Sequence, residues 1–291
     1  MGKLKCMLSL NIYLLRMVLL GAALQVAQIC CVTLITLGLN TTVSGLFLKP
    51  LSVLLPLLLP AIGVAFAIYW AGAHFLERRP LRELSSGSAA GNLALGVGSG
   101  FLLCALVFAS LALHGSVRYA AFAGFDRVPT AALIFTAGVV FEELIFRGVI
   151  LRVAEESLGT APALMLSAAL FAVSHLGNDG VTAIGMIALF AGGITLGLAY
   201  VLSRNLWLSI GAHLGWNFTL GALFGTAVSG HEAHGAFRFL LSGPDWLSGG
   251  RFGPESSIYS MAFFVLLAIA LWWHAARGSG WRPRQFRLRA A

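Results

Sequence analysis

Charged residues are scarce in this sequence: only 10% of its 291 residues are Asp, Glu, Lys or Arg. A soluble domain usually carries about 25% charged residues, because its surface must interact with water. Hydrophobic residues make up 58% of the chain, and the mean hydropathy is +0.88. The shortage of charge excludes an ordinary soluble globular protein and predicts a single polytopic membrane domain.

Several sequence signatures are also missing. The four cysteines contain no CxxC pair and three of them lie in apolar runs, so we expect them to pack as apolar side chains. The HExxH zinc pattern and the Ser-centred GxSxG pattern are absent. Basic residues outnumber acidic ones by 19 to 11, but they form no stripe interleaved with exposed aromatics. We therefore expect no nucleic-acid partner.

Apolar runs of membrane-spanning length recur along the chain. A membrane helix needs about 20 mostly apolar residues. Candidate spans lie near residues 12–37, 51–76, 92–113, 130–152, 161–175, 181–202, 206–225 and 257–276. The sequence thus predicts an all-α fold, a polytopic integral membrane helical bundle with about eight transmembrane helices.

The basic residues predict the orientation of this bundle. If the N-terminus is cytoplasmic and the chain crosses eight times, the cytoplasmic segments hold most of the basic residues, including Arg78, Arg79, Arg204 and Arg289. Cytoplasmic loops carry such an excess of Lys and Arg. We expect a multi-pass protein of a bacterial-type plasma (inner) membrane with both termini in the cytoplasm.

Ionisable residues interrupt the fourth span, although each costs roughly 2.5–3.5 kcal/mol on insertion scales. Glu142 and Glu143 are adjacent and therefore point about 100° apart on a helix. Glu143 and Arg147 have the i, i+4 spacing with the acid first, which favours an ion pair. Glu142 then has no cation in its own helix and must meet a group from another helix or a wet pocket.

Two later spans carry histidine at helical spacing. Phe171 and His175 lie one turn apart in the fifth span, and His213 and Asn217 lie one turn apart in the seventh. Each pair can project from one helix face. Brought together with Glu142, these residues would supply a base, a second proton-handling group and hydrogen-bond donors.

This set of groups suits attack of water on a carbonyl carbon. Glu142 can accept a proton from water, His175 can hold the same water or protonate the leaving amine, and His213 and Asn217 can donate to the developing oxyanion. Zinc or another divalent metal held by Glu142, His175 and His213 is a second way to activate water. The sequence leaves both the metal-dependent and the metal-free mechanism open.

The three motifs Glu142-Glu143-x-x-x-Arg147, Phe171-x-x-x-His175 and His213-x-x-x-Asn217 come in a fixed order on successive apolar segments. This pattern resembles the CPBP family of CAAX proteases and bacteriocin-processing enzymes, also called Rce1-like or ABI proteins. The resemblance implies a membrane-embedded endopeptidase, often labelled a metalloprotease. It also implies that Glu142 and His175 are catalytic, that His213 and Asn217 stabilise the oxyanion, and that Glu143, Arg147 and Phe171 support them.

The motifs divide the chain into three regions. Residues 1–128 are predicted to hold the N-terminal transmembrane helices and a cytoplasmic loop, and residues 129–225 the catalytic core. Residues 226–291 are predicted to hold an extracytoplasmic loop, the last transmembrane helix and a basic cytoplasmic tail.

Our hypothesis is an intramembrane endopeptidase whose partners are the bilayer and a membrane-embedded or lipid-associated peptide or protein. The alternatives are a non-catalytic immunity or scaffold protein on the same fold and a proton-coupled transporter.

Two further pairs of polar residues are not assigned to the site. Glu155 and Glu156 are interpreted as solvated charges at a span end, and His231 and His234 as an exposed loop pair.

Overall fold

The structure, a computed structural model, describes residues 2–278 and 281–282. The α-helices of this part of the chain are α1 (Gly2–Gly38), α2 (Val43–Leu46), α3 (Leu51–Ala71), α4 (Ala89–Leu113), α5 (Val128–Glu143), α6 (Arg152–Leu158), α7 (Thr160–Ser174), α8 (Ala183–Ser203), α9 (Leu206–Asn217), α10 (Asp245–Ser248) and α11 (Ile258–Ala276). The strands are β1 (Val117–Phe122) and β2 (Phe237–Leu241). The all-α class predicted from the sequence is confirmed, with one small sheet added.

Within the described residues, five helical segments are long and apolar enough to cross a membrane. They are Leu14–Gly38, Leu51–Leu76, Arg82–Leu113, Ala183–Ser203 and Ile258–Ala276. A sixth apolar helix, Thr160–Ser174, has only 15 residues. The number of eight spans therefore stays a prediction, as do the three sequence regions. Residues 283–291, which carry most of the predicted basic tail, lie outside the described part.

The predicted fourth and seventh spans are not uniform α-helices. π-helical turns follow α5 over Leu144–Leu151 and follow α9 over Phe218–Leu223. The apolar runs 130–152 and 206–225 do not reveal these turns, because hydropathy does not distinguish α from π hydrogen bonding. π-helical turns are rare and frequently occur at functional sites.

The buried core lies around α5 to α9, and the outer helices direct many of their apolar side chains away from it. Leu144, Leu164 and Leu198 are almost completely buried there, whereas Leu37 on α1 and Ile269 on α11 are largely exposed. Apolar side chains exposed on the outside of a helical bundle are favourable when the surroundings are lipid. The burial pattern thus agrees with a membrane protein.

Close glycine contacts fix α9 against α4. An added Cβ at Gly211 would lie 3.1 Å from the Cα of Gly96, and one at Gly215 would lie 2.8 Å from the Cα of Val97. Small residues allow such backbone approach in membrane proteins. Because His213 lies midway between the two glycines, its side chain points away from α4, towards α5.

A two-stranded antiparallel sheet joins two loops of the bundle. Val117 pairs with Leu241 and Phe122 with Phe237, with a bulge between Tyr119 and Ala121. The sheet brings the loop after α4 and the long loop before α11 to the same end of the bundle. This agrees with the predicted topology, in which both loops lie on the outer side.

Ion pairs cluster at the other end of the bundle. Arg152 Nη2 is 2.5 Å from Glu77 Oε1, and Arg204 Nη1 is 2.5 Å from Glu155 Oε2. Glu155 is almost completely buried, so the interpretation of this residue as a solvated charge was wrong. Its partners, Arg204, Thr160 and Arg282, come from other segments of the chain, which the sequence of one helix cannot reveal.

Candidate active site

Glu143 and Arg147 form an ion pair inside the bundle. Both side chains are 0% exposed, and Arg147 Nη1 is 2.7 Å from Glu143 Oε1. The same guanidinium donates from Nη2 to the carbonyl of Gly193 on α8 at 3.2 Å and lies 4.7 Å from the centre of the Phe171 ring. The i, i+4 pair expected from the sequence thus also connects α5 to α7 and α8.

His213 lies between the two adjacent carboxylates. Its Nδ1 is 2.8 Å from Glu143 Oε1, and its Nε2 is 3.8 Å from Glu142 Oε2. The carboxylates leave the helix in different directions, yet they approach opposite nitrogens of one imidazole. Glu142 is the accessible member of the pair, with 25% of its side chain exposed. Its neighbouring group from another helix is therefore His213.

His175 follows the last residue of α7 and is mostly buried. Its Nδ1 is 2.8 Å from the carbonyl oxygen of Phe171, so a proton on Nδ1 would be donated there and Nε2 would remain free to accept. The Phe171 ring centre is 4.8 Å from that of His175 and 5.9 Å from that of His213. Phe171 therefore packs between the two imidazoles.

Asn217, the last residue of α9, lies where two cavities meet. A cavity of about 270 Å³ extends from α1, α3 and α5 to Glu142. A smaller one of about 90 Å³ lies between α4, α8, α9 and α11 and is lined by His213. Asn217 and Ser229 line both cavities. The structure thus places Glu142, His213 and Asn217 around two adjacent cavities inside the bundle.

His231 belongs to this region, contrary to its interpretation as half of an exposed pair. It is partly buried and lines the larger cavity with Glu142. Burial lowers the pKa of His231, the charge of His175 lowers it further, and Glu142 opposes the effect. His231 therefore lies within electrostatic range of both His175 and Glu142. No sequence pattern marks His231, because its position depends on the folding of a loop.

Glu255 is a second residue that the sequence did not indicate. Its buried carboxylate lines the smaller cavity. It accepts hydrogen bonds from Ser229 N and Ser229 Oγ, both at 2.7 Å, and from Trp216 Nε1 at 3.2 Å. Burial raises the pKa of Glu255, while these hydrogen bonds and the nearby His175 oppose the rise.

The candidate metal ligands do not form a metal site. Among the described residues, no three His, Cys, Asp or Glu side chains are arranged to hold a metal ion. In His213 and His175 only one ring nitrogen contacts Glu143 or the Phe171 carbonyl, so Nε2 of each ring is chemically able to bind a metal. It is the arrangement of Glu142, His175 and His213 in the described structure, and not the chemistry of these side chains, that does not form a three-ligand site.

Comparison with known proteins agrees with the motif resemblance. Residues 124–219 match the family model described as type II CAAX prenyl endopeptidase, Rce1-like. The matched segment runs from just before α5 to just after α9 and contains Glu142, His175, His213 and Asn217. No curated protein and no solved structure matches the chain. Residues 124–219 of this helical membrane protein therefore form a domain of the Rce1-like family of type II CAAX prenyl endopeptidases.

Proposed function

We propose that this protein is an intramembrane endopeptidase that hydrolyses a peptide bond of a membrane-associated protein or peptide. The family supports CAAX-type protease activity. The observation that carries the proposal for this chain is the 3.8 Å separation of Glu142 Oε2 from His213 Nε2 beside a cavity. This distance is too long for a direct hydrogen bond, and a water or a substrate oxygen can contact both atoms at once.

Glu142 acts as the general base in this proposal. It takes a proton from a water molecule while the water oxygen attacks the carbonyl carbon of the scissile bond. The C–N bond then breaks, and the proton that Glu142 took from the water is passed to the nitrogen of the leaving amine, either directly or through Nε2 of His175. The partial exposure of Glu142 to the larger cavity favours this role, because the base must reach both water and substrate.

His213 and Asn217 stabilise the oxyanion. Glu143 holds His213 through Nδ1, which leaves Nε2 directed towards Glu142. To donate to the oxyanion, His213 must carry a proton on Nε2 as well as on Nδ1. Arg147 balances the charge of Glu143 next to this ring. Donors that are fixed before the reaction contribute most to stabilising such a charge.

The proposal is tested by the substitution Glu142→Gln, which keeps the shape of the side chain but removes the base. The purified protein in liposomes is given a farnesylated CAAX peptide with a fluorophore and a quencher, and the products are identified by mass spectrometry. We expect the cleavage rate to fall at least about 100-fold with an unchanged melting temperature. Glu232→Gln, at an exposed loop position, is the matched control.

A second measurement does not depend on the chosen peptide. Membrane peptides that co-purify with Glu142→Gln protein are compared with those of the wild type by mass spectrometry, since an inactive enzyme retains its substrate. If Glu142→Gln protein cleaves the peptide at the rate of the wild type, the proposed role of Glu142 as general base is wrong. A proton-dependent flux without cleavage of any retained peptide would favour the transporter alternative.

We also propose that the protein lies in a bacterial-type plasma membrane with both termini in the cytoplasm. The excess of basic residues in one set of loops supports this orientation. The structure groups Arg79, Arg152 and Arg204 of that set at one end of the bundle. Arg118 and Arg238, predicted to be outside, lie on the paired strands at the other end.

A further inference from the structure

The turn Val228–His231 forms one wall of the candidate site. Val228 N donates to the His231 carbonyl at 3.0 Å, and His231 N donates back at 2.9 Å. Ser229 and Gly230 between them have φ values of 50° and 80°. Two consecutive positive φ values are those of a type I′ turn, whose first central position favours Asn, Asp or Gly. Serine is therefore unfavourable at position 229.

The unfavourable conformation of Ser229 is held by hydrogen bonds from two other segments. Glu255 accepts from both the backbone N–H and the hydroxyl of Ser229, and Asn178 Nδ2 donates to its carbonyl at 2.8 Å. Gly230 N also donates to the carbonyl of Phe252 at 2.9 Å. A non-glycine residue in the left-handed region persists only where its surroundings fix it, and such residues occur frequently at functional sites.

Glu255 also reaches the helix that carries the oxyanion donors. Its other oxygen accepts from Trp216 Nε1, and Trp216 directly precedes Asn217. One buried carboxylate thus connects the turn to the end of α9, at the point where Ser229 and Asn217 line both cavities. Displacement of Ser229 would join the two cavities and remove the support beside Asn217.

We propose that Glu255 is a positioning residue for the hydrolysis: it fixes the Val228–His231 turn against α9, so that Ser229 separates the two cavities and Asn217 keeps its orientation. This inference rests on the proposed function for its catalytic consequence. Glu255 does not contact the reacting atoms in this account. It acts through Ser229 and Trp216.

The first experiment measures kcat and KM for Glu255→Gln with the farnesylated CAAX peptide. Glutamine keeps the size of the side chain, but its NH₂ group cannot accept a hydrogen bond. At least one of the three bonds from Ser229 N, Ser229 Oγ and Trp216 Nε1 is therefore lost. We expect kcat to fall about tenfold or more, since a hydrogen bond to a charged group is lost, and KM to change less than about threefold because the cavity linings remain. Unchanged kcat in folded Glu255→Gln protein would overturn the proposal.

The second experiment separates positioning from general stability. Ser229→Gly loses the hydroxyl bond but adopts a positive φ without strain, whereas Ser229→Ala loses the bond and keeps the strain. We expect Ser229→Gly to retain at least about fivefold more kcat than Ser229→Ala. Addition of Ser229→Gly to Glu255→Gln should restore part of the lost kcat. Equal damage by glycine and alanine would overturn the proposal, even if Glu255→Gln protein does not fold.

A third measurement does not need hydrolysis at all. His231→Cys is made in a chain whose four native cysteines are replaced, and its rate of labelling by a water-soluble maleimide is recorded. We expect Glu255→Gln to increase this rate about tenfold, while the rate at the exposed position Ser86→Cys stays the same. An unchanged rate at His231→Cys would overturn the positioning role. Absence of hydrolysis by the wild type itself, together with the expected increase in labelling, would instead contradict the proposed function and leave the positioning of the turn by Glu255 intact.

Discussion

Glu143 on α5 and His213 on α9 are joined by a contact of 2.8 Å between Oε1 and Nδ1. The same carboxylate oxygen lies 2.7 Å from Arg147 Nη1. Glu143 is therefore the buried group that fixes both the guanidinium and the imidazole, while its neighbour Glu142 stays accessible. Two adjacent carboxylates acquire different environments in this way, which supports a division into one supporting and one reacting group.

Removal of only one partner of the buried ion pair should lower the free energy of unfolding strongly. Glu143→Gln or Arg147→Met alone leaves one unpaired buried charge, so each should lower the free energy of unfolding by about 3–5 kcal/mol. The double variant should lose less than the sum of the two single variants. Unfolding in mixed micelles measures this, with Glu156→Gln as the control at a more exposed ion pair. Additive losses would contradict the coupling.

The larger cavity should admit the substrate. Gly138 lines it one helical turn before Glu142, and an added Cβ there meets no heavy atom within 4 Å. Gly138→Leu should therefore fold but block access, raising KM and lowering kcat/KM about tenfold or more. Gly63→Leu is the matched control, because Gly63 is exposed on α3 and is equally free of contacts. Equal activity of the two variants would argue against this route.

Acidification should weaken the ion pairs at the predicted cytoplasmic end. Burial alone would raise the pKa of Glu77, but the guanidiniums of Arg152 and Arg79 lower it below its ordinary value of 4.5. A pKa that is lower in the folded state stabilises the fold above the unfolded pKa, and this contribution is lost as pH falls through the folded pKa.

The melting temperature of the wild type should therefore fall more between pH 6 and pH 3 than that of Glu77→Gln, which should be less stable at pH 6. Thermal unfolding in detergent across this pH range provides the measurement. An identical pH dependence of both proteins would show that Glu77 does not make this contribution.

The proposed orientation predicts which loops are reached from outside the cell. In a chain without native cysteines, Arg118→Cys on β1 should react with a membrane-impermeant maleimide in intact spheroplasts. Ser86→Cys, which is also exposed, should react only in inside-out vesicles. The reverse pattern would place the termini outside the cell. Reaction of both positions from the same side would contradict the prediction that the chain crosses the membrane once between Ser86 and Arg118.

The sequence indicated several parts of the site through local chemistry. Polar residues in an apolar span are costly, so Glu142, Glu143 and Arg147 were conspicuous, and the i, i+4 spacing suggested the ion pair that the structure contains. The sequence did not indicate that His213 contacts Glu143, because that contact joins positions 70 residues apart. Glu255 and Ser229 gave no signal, since a carboxylate or serine in a loop is usually solvated.

The sequence by itself determined a helical membrane protein and the order of its three polar motifs, because hydropathy and helical spacing are local properties of the chain. Only the tertiary structure decided which carboxylate contacts which ring nitrogen, and that a loop turn and Glu255 border the same cavities. Those relationships depend on how closely α9 packs against its neighbours, through backbone contacts at Gly211 and Gly215, and on long loops whose conformation is set by distant partners.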